Sequence, residues 1–247
     1  MAPRPSLTKV YRIGAVVFAM TWHDLTQPFH ADMPHSAGVP SPEMTTLRHV
    51  EEDGVNVQQY GAPTHVGTHV DAPRHFVPDG ATIDEYPLDK FAGSGVVLDL
   101  ERESADEIPL RAVEAAAAEV GGIRAGDIVF VRTGWGRRFE DHEAYRRYPW
   151  LAADVADWLL ERDVSLLGVD TISPDRPRAM RPDDWDAYPH HRTLLPADVL
   201  IMEHLDLEAV AGKRLEIVAF PLKLRGGDGA PVRVGAREQS GESAGNR

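Results

Sequence analysis

The eleven residues His65-Val66-Gly67-Thr68-His69-Val70-Asp71-Ala72-Pro73-Arg74-His75 constrain the fold more than any other part of this chain. Three imidazoles and a carboxylate in so short a span are the ligand set of a divalent ion such as Zn²⁺ or Mn²⁺. His65, His69, Asp71 and His75 all stand at odd positions, so an extended chain would point them to one side. Fully extended, however, the stretch would span roughly 33 Å, far beyond one coordination sphere. The chain must curl here, and Gly67 and Pro73 are the residues that permit it. A helix is the poorer solution, because Val66 stands where the two-histidine helical protease motif needs Glu. Gly67 among the β-branched Val66, Thr68 and Val70 also disfavours helix. The segment reads as a tight loop leaving a strand. The bland alternative, histidines satisfied by backbone carbonyls, leaves the clustering unexplained.

Composition narrows the partners. The 247 residues hold 39 acidic against 26 basic side chains, a formal charge of −13. A nucleic-acid or anionic-membrane partner would want a basic face instead. No apolar run approaches the ~20 residues of a membrane span. The absence of cysteine excludes disulfides and thiolate metal sites. Arg4 and Lys9 ahead of the apolar residues 13–20 faintly resemble a signal peptide, but no small-x-small cleavage site follows. The expectation is a cytoplasmic protein. Residues 1–19 read as an extension outside the fold, 20–237 as one domain, and 238–247 as a polar, disordered tail.

Strand-like segments fall at 44–50, 57–61, 96–100, 128–133, 165–169, 199–203, 215–221 and 232–236. Helical patterns cover 110–120, with Pro109 at its start, then 153–162 and, more briefly, 190–195. Strands alternating with helices predict an α/β architecture. Asp170, after the apolar Leu166–Val169, reads as a turn residue or one that orients a histidine. His23, His30, His49, His142 and His204 have no cluster around them and read as surface or satisfied core residues.

The pattern His-x-Gly-Thr-His-x-Asp-x-Pro-x-His resembles the signature of the cyclase family of metal-dependent hydrolases, which includes bacterial kynurenine formamidase and isatin hydrolase. That family's second motif is a histidine followed twelve residues later by glutamate at the end of an apolar strand. His191 and Glu203 stand in that relation here, although His190 beside His191 leaves the ligand open between the two. The tract Leu167-Gly168-Val169-Asp170-Thr171-Ile172-Ser173 is similar to the family's intervening strand and loop.

The resemblance implies a β/β/α fold around a central barrel-like mixed sheet, in a homodimer or homotetramer. It implies His65, His69 and Asp71 on a first ion, with Asp71 bridging to a second completed by His191 and Glu203. His75 would be the acid/base. One or two Zn²⁺ or Mn²⁺ ions would activate water to cleave the C–N bond of a small-molecule amide such as an aryl formamide. His75, with an ordinary pKa near 6.5, would move the proton to the leaving nitrogen. Kynurenine formamidases carry a Trp-Pro-Gly-like element where this chain has Met33-Pro34-His35, so the aryl pocket is built differently here. His35, Phe76, Trp135 and Tyr188 are the pocket candidates. The competing readings are a cyclic-amide hydrolase of the isatin type, a lactone hydrolase or cyclase, and a metal-binding protein without catalysis.

Overall fold

A computed structural model describes residues 9–13, 16–36, 38–181 and 188–238. The chain opens with a hairpin, β1 (Lys9–Ile13) and β2 (Val16–Met20), which forms a two-stranded sheet of its own, followed by the short β3 (His23–Asp24). β4 (Glu43–Arg48), the single turn α1 (Val50–Asp53) and β5 (Val57–Gly61) make a second antiparallel pair. Then come β6 (His69–Asp71), β7 (Ala92–Asp99), β8 (Glu107–Ile108), α2 (Leu110–Glu119) and β9 (Ile128–Arg132). They are followed by α3 (His142–Tyr145), β10 (Trp150–Leu151), α4 (Asp154–Leu160), β11 (Leu166–Val169), α5 (Pro189–Leu194) and β12 (Leu200–Glu203). β13 (Arg214–Val218), β14 (Gly229–Pro231) and β15 (Gly235–Glu238) complete the described chain.

The main sheet has the order β14-β6-β12-β11-β9-β7-β13-β15-β3. Its middle, β12-β11-β9-β7, is parallel, and antiparallel strands extend it on either side. Strands buried on both faces should be apolar, as β11 is throughout and as β9 and β12 are up to their last residues. Alternation then sorts their side chains. Ile128, Phe130, Leu166, Leu200 and Met202 enter one cluster, around which the sheet curls, since Ala230 near one edge and Ala236 near the other both reach it. Val129, Val131, Leu167, Val169 and Ile201 face the other way, toward α2, α4 and α5. α2 meets them with Val113, Ala116 and Ala117, one helical stripe. The fold is therefore α/β around a curled mixed sheet, as the sequence predicts.

Several boundaries moved. The segment 232–236 is not one strand: Pro231 ends β14, Gly235 begins β15, and the buried Val232 and Val234 lie between them. Pairing with β13 carries β15 through Glu238, one residue into the expected tail, and 239–247 lie outside the described residues. Pro109 is the N-cap of α2. Among the described residues no helix is long and apolar enough to cross a membrane.

Position in the sheet fixes the site. Register pairs His69 with Glu203 and Asp71 with Ile201 across β6 and β12. Paired residues share a face. His69, Asp71 and Glu203 thus stand on the helix-bearing face with Ile201, while Val70 and Met202 anchor the opposite face.

Candidate metal centre

The signature segment is a loop, a three-residue strand and a 3₁₀ turn, each held by residues between the polar positions. Val66 is buried in a third apolar cluster with Met33, Tyr148 and Ile172. Gly67 turns the chain at φ +60°, where an added Cβ would lie 3.0 Å from Met33 Sδ. Thr68 accepts from the Gln27 amide at 2.9 Å and donates to the His204 carbonyl at 2.7 Å. Val70 and Ala72 are fully buried. Pro73 then starts the turn Pro73–His75, which lays the His75 ring flat on His65, 3.7 Å between centroids.

Asp71, 1% exposed, stands at the centre. Its Oδ1 lies 2.7 Å from His65 Nδ1 and 3.2 Å from His69 Nε2, and its Oδ2 lies 3.3 Å from His191 Nε2. Glu203 spans the same gap, with Oε2 at 3.5 Å from His69 Nε2 and Oε1 at 3.4 Å from His191 Nε2. His69 Nδ1 donates to the Gly67 carbonyl at 2.7 Å, which turns Nε2 toward the carboxylates.

His69 Nε2, Asp71 Oδ2 and Glu203 Oε1 are buried and have no hydrogen-bond partner. Orphaned buried polar atoms are costly. Three of them in one buried cluster of imidazoles, two of them on carboxyl groups, is an environment divalent cations resolve. The residues present therefore fit a bound metal. The electrostatics agree. Burial alone would lower the His65 pKa, but Asp71 and Asp228 outweigh it and lift it to about 10. Burial would also lower His191, and the carboxylates of Asp175, Asp71 and Glu203 raise it well above its usual value. Burial raises Glu203, and Asp71 raises it further. The pocket demands positive charge.

His191, not His190, faces this point. Successive helical residues diverge by about 100°, so only one can. The His190 ring turns away into the core with no exposed surface. Asp175 holds both rings, from Oδ1 to His190 Nδ1 at 2.8 Å and from Oδ2 to His191 Nδ1 at 2.5 Å. It also accepts the His190 amide at 3.0 Å, capping the first turn of α5. Burial would raise the Asp175 carboxyl, yet the two imidazoles pull it far below the carboxylate range.

A cavity of about 580 Å³ opens onto His65, His75, His191 and Glu203. His35, Phe76 and Tyr188 line it as the sequence predicts, and Phe76 packs against Tyr188 at 5.3 Å and His191 at 4.7 Å. Trp135 does not. It is 2% exposed, in the core with Phe139 and Tyr145, its indole nitrogen bonded to the Ala144 carbonyl at 3.3 Å. A large aromatic after a glycine turn packs as readily as it binds. Asp170 orients no histidine: it accepts from the Thr133 and Gly134 amides and the Thr133 hydroxyl. Burial lifts it to about 6.

The sequence reading missed three members. Asp175 carries no sequence signal, being fifteen residues from the histidines it holds. Asp228 lies in a glycine-rich turn, takes the Thr64 hydroxyl at 2.8 Å and places Oδ2 3.2 Å from His65 Nε2. His204 is a core residue, one of the two readings the sequence allowed, but not an isolated one. It is 1% exposed, at φ +59°, with Nδ1 3.3 Å from the Tyr145 hydroxyl, and it lines the cavity. Adjacency to Glu203 was the clue. An Asp175→Asn variant keeps the shape but not the charge. It is expected to lower metal affinity about 10–100-fold with the fold intact, measurable by competition with a chromophoric chelator.

Comparison with known proteins agrees with this fold. A kynurenine formamidase from Salinibacter ruber is 34% identical over 194 residues, 78% of this chain and 85% of that protein. The isatin hydrolase A structure from Ralstonia solanacearum superposes with a TM-score of 0.80 at 26% identity, covering 89% of this chain and 92% of that one. A solved protein from Bacillus stearothermophilus, described as a predicted metal-dependent hydrolase, is 30% identical with a TM-score of 0.72, covering 90% of this chain and 100% of its own. The Cyclase family model matches residues 23–176, well over half the length, and this chain belongs to the Cyclase family.

Proposed function

We propose that this protein is a metal-dependent hydrolase that cleaves the C–N bond of a small aryl amide, a formamide of the N-formylkynurenine type. The observation that carries the reading is the set of buried, unpartnered His69, Asp71 and Glu203 atoms beside a cavity that His65, His75, His191 and Glu203 line. His65, His69 and Asp71 would hold one Zn²⁺ or Mn²⁺ ion, and Asp71, His191 and Glu203 a second, the two oxygens of Asp71 facing the two halves. A metal bound there supplies Lewis-acid polarisation of the amide carbonyl and lowers the pKa of water enough for attack near neutral pH.

The chain's own residues do the rest. Burial pushes His75 down to about 4, against the opposing pull of Asp71, so at neutral pH it is an unprotonated base. Its ring lies in the cavity wall between His65 and His191. There it accepts the proton of the attacking water and returns it to the departing nitrogen. Phe76 and Tyr188 form the wall against which an aryl leaving group packs. Asp175 holds His191 in orientation throughout.

The second reading, opening of a cyclic amide of the isatin type, is favoured by the structural match to isatin hydrolase A. The same groups serve both, since each reaction adds water to an amide carbonyl. Our reading also keeps a homodimer or homotetramer, in the cytoplasm. Support for the oligomer comes from the β4–β5 arm, where every residue of β5 is exposed, as are Met44 and Leu47. A bare strand pair carrying exposed Met44, Leu47, Val57 and Tyr60 is a common kind of self-association site.

Turnover of N-formylkynurenine and isatin, with and without chelator, tests the assignment alongside thermal melting. Chelation is expected to abolish turnover and lower the Tm, and Zn²⁺ or Mn²⁺ to restore both. A chelator-sensitive Tm with no hydrolysis of either amide would instead mark a metal-binding protein without catalysis.

A further inference from the structure

We propose that His204 is a further metal ligand, joining His69 and Glu203 and biasing the centre toward Zn²⁺ over Mn²⁺. The inference rests on the metal-centre reading and adds a residue outside the set that the family resemblance implies. One ligand atom each from His69, Glu203 and His204 lie within 4.8 Å of one another, and all three residues are buried. Two of the three, at His69 Nε2 and Glu203 Oε1, carry a buried polar atom with no hydrogen-bond partner. The His204 ring stands 5.8 Å from that of His69 and lines the cavity.

The backbone is strained to place an imidazole there. His204 follows β12 at φ +59°, a left-handed conformation that glycine or asparagine adopts more readily. It is held from both sides: its amide donates to the Thr171 carbonyl at 2.9 Å, and its carbonyl accepts the Thr68 hydroxyl at 2.7 Å. Strain of this kind persists where the surroundings over-determine it, and it gathers at functional sites. Glycine would relieve it, so the side chain is what histidine adds.

The ring is fixed as well, edge-on to Phe139 at 6.2 Å and tilted against Tyr145 at 5.6 Å. The Tyr145 hydroxyl has one proton, and the Asp170 carbonyl at 3.3 Å can only accept it. His204 Nδ1 therefore donates to the phenol oxygen, also at 3.3 Å, and the lone pair falls on Nε2. A hydrogen bond on one ring nitrogen is how a metal-ligating histidine presents the other. His69 shows the same device through the Gly67 carbonyl, and His191 through Asp175. With His204 the His69 side of the centre gains a nitrogen donor. Imidazole suits Zn²⁺, whereas carboxylate and water suit Mn²⁺.

The test is metal binding to chelator-stripped protein, which needs no substrate. His204→Asn and His204→Gly both suit the positive φ, and melting of the metal-free variants checks their fold. Zn²⁺ affinity, by competition with a chromophoric chelator, is expected to fall by at least the 10–100-fold, roughly, that losing a partner of a ligating histidine costs. Mn²⁺ affinity, read by paramagnetic resonance, should change less, so the preference for Zn²⁺ narrows. Co²⁺ in His204→Gly should show a changed visible spectrum, and added imidazole should restore it. Tyr145→Phe keeps the ring packing but removes the acceptor that sets the tautomer, and should give an intermediate Zn²⁺ affinity. An unchanged Co²⁺ spectrum and Zn²⁺ affinity in both His204 variants would overturn the ligand and leave the metal centre standing. Equal loss of Zn²⁺ and Mn²⁺ with no rescue by imidazole would also overturn it, marking a packing residue. A wild-type protein that takes up none of these metals overturns the centre itself, and this ligand with it.

Discussion

Asp71→Ala loses bound metal and turnover together. The carboxylate is fully inside the protein, and its two oxygens face His65 and His69 on one side and His191 on the other. Burial alone would raise its pKa, but the surrounding imidazoles hold it far below the carboxylate range, so it is anionic wherever the protein is folded. Removing it leaves Glu203 as the one buried carboxylate facing the Nε2 atoms of His69 and His191, too little charge to hold a dication against solvation. Metal content by mass spectrometry is expected to fall below one ion in ten chains, and hydrolysis to background. Asp71→Asn should do nearly the same, which separates loss of charge from loss of packing. Stoichiometric metal in either variant would mean the ion sits elsewhere.

His75→Ala behaves differently, retaining metal while kcat falls about 10²–10⁴-fold, the usual contribution of a positioned acid/base. The imidazole is stacked on His65 and needed only once substrate is present. KM should change little, because Phe76 and Tyr188 still define the aryl wall. Added imidazole, small enough to enter the space left by the ring, should recover part of the rate. His65, His75 and Asp228 also lie close enough together to share an ion. A variant that lost metal in proportion to activity would therefore recast His75 as a ligand.

These two experiments concern residues visible in the sequence from the start, and the reason is physical. A metal needs several ligands within a few ångström, and a short segment with a glycine and a proline to bend it delivers most of them locally. The parallel strands were equally plain, because burial on both faces forces continuous apolar runs such as Ile128-Val129-Phe130-Val131. β6 read as loop because two of its three residues are the polar His69 and Asp71, which break the apolar pattern a strand of that depth should show. β14, Gly-Ala-Pro, has no strand signature at all, and its pairing with β6 is imposed by tertiary structure. Asp175 and Asp228 were invisible because tertiary folding, not local sequence, brings them to the histidines. Trp135 was a pocket candidate as an aromatic side chain alone, which does not separate lining from packing, and its neighbours in space are Phe139 and Tyr145.

β6 sits between β12 and β14, so the strand bearing two of the proposed ligands is paired to chain that follows it by more than a hundred residues. Contacts this distant in sequence form only after the intervening loops have been closed. During synthesis, the His65–His75 stretch emerges long before Glu203 exists to face it. Ion capture of full strength is thus coupled to completion of the polypeptide, and an incomplete nascent chain offers the cell's metal pool no more than a weak, solvent-exposed set of imidazoles.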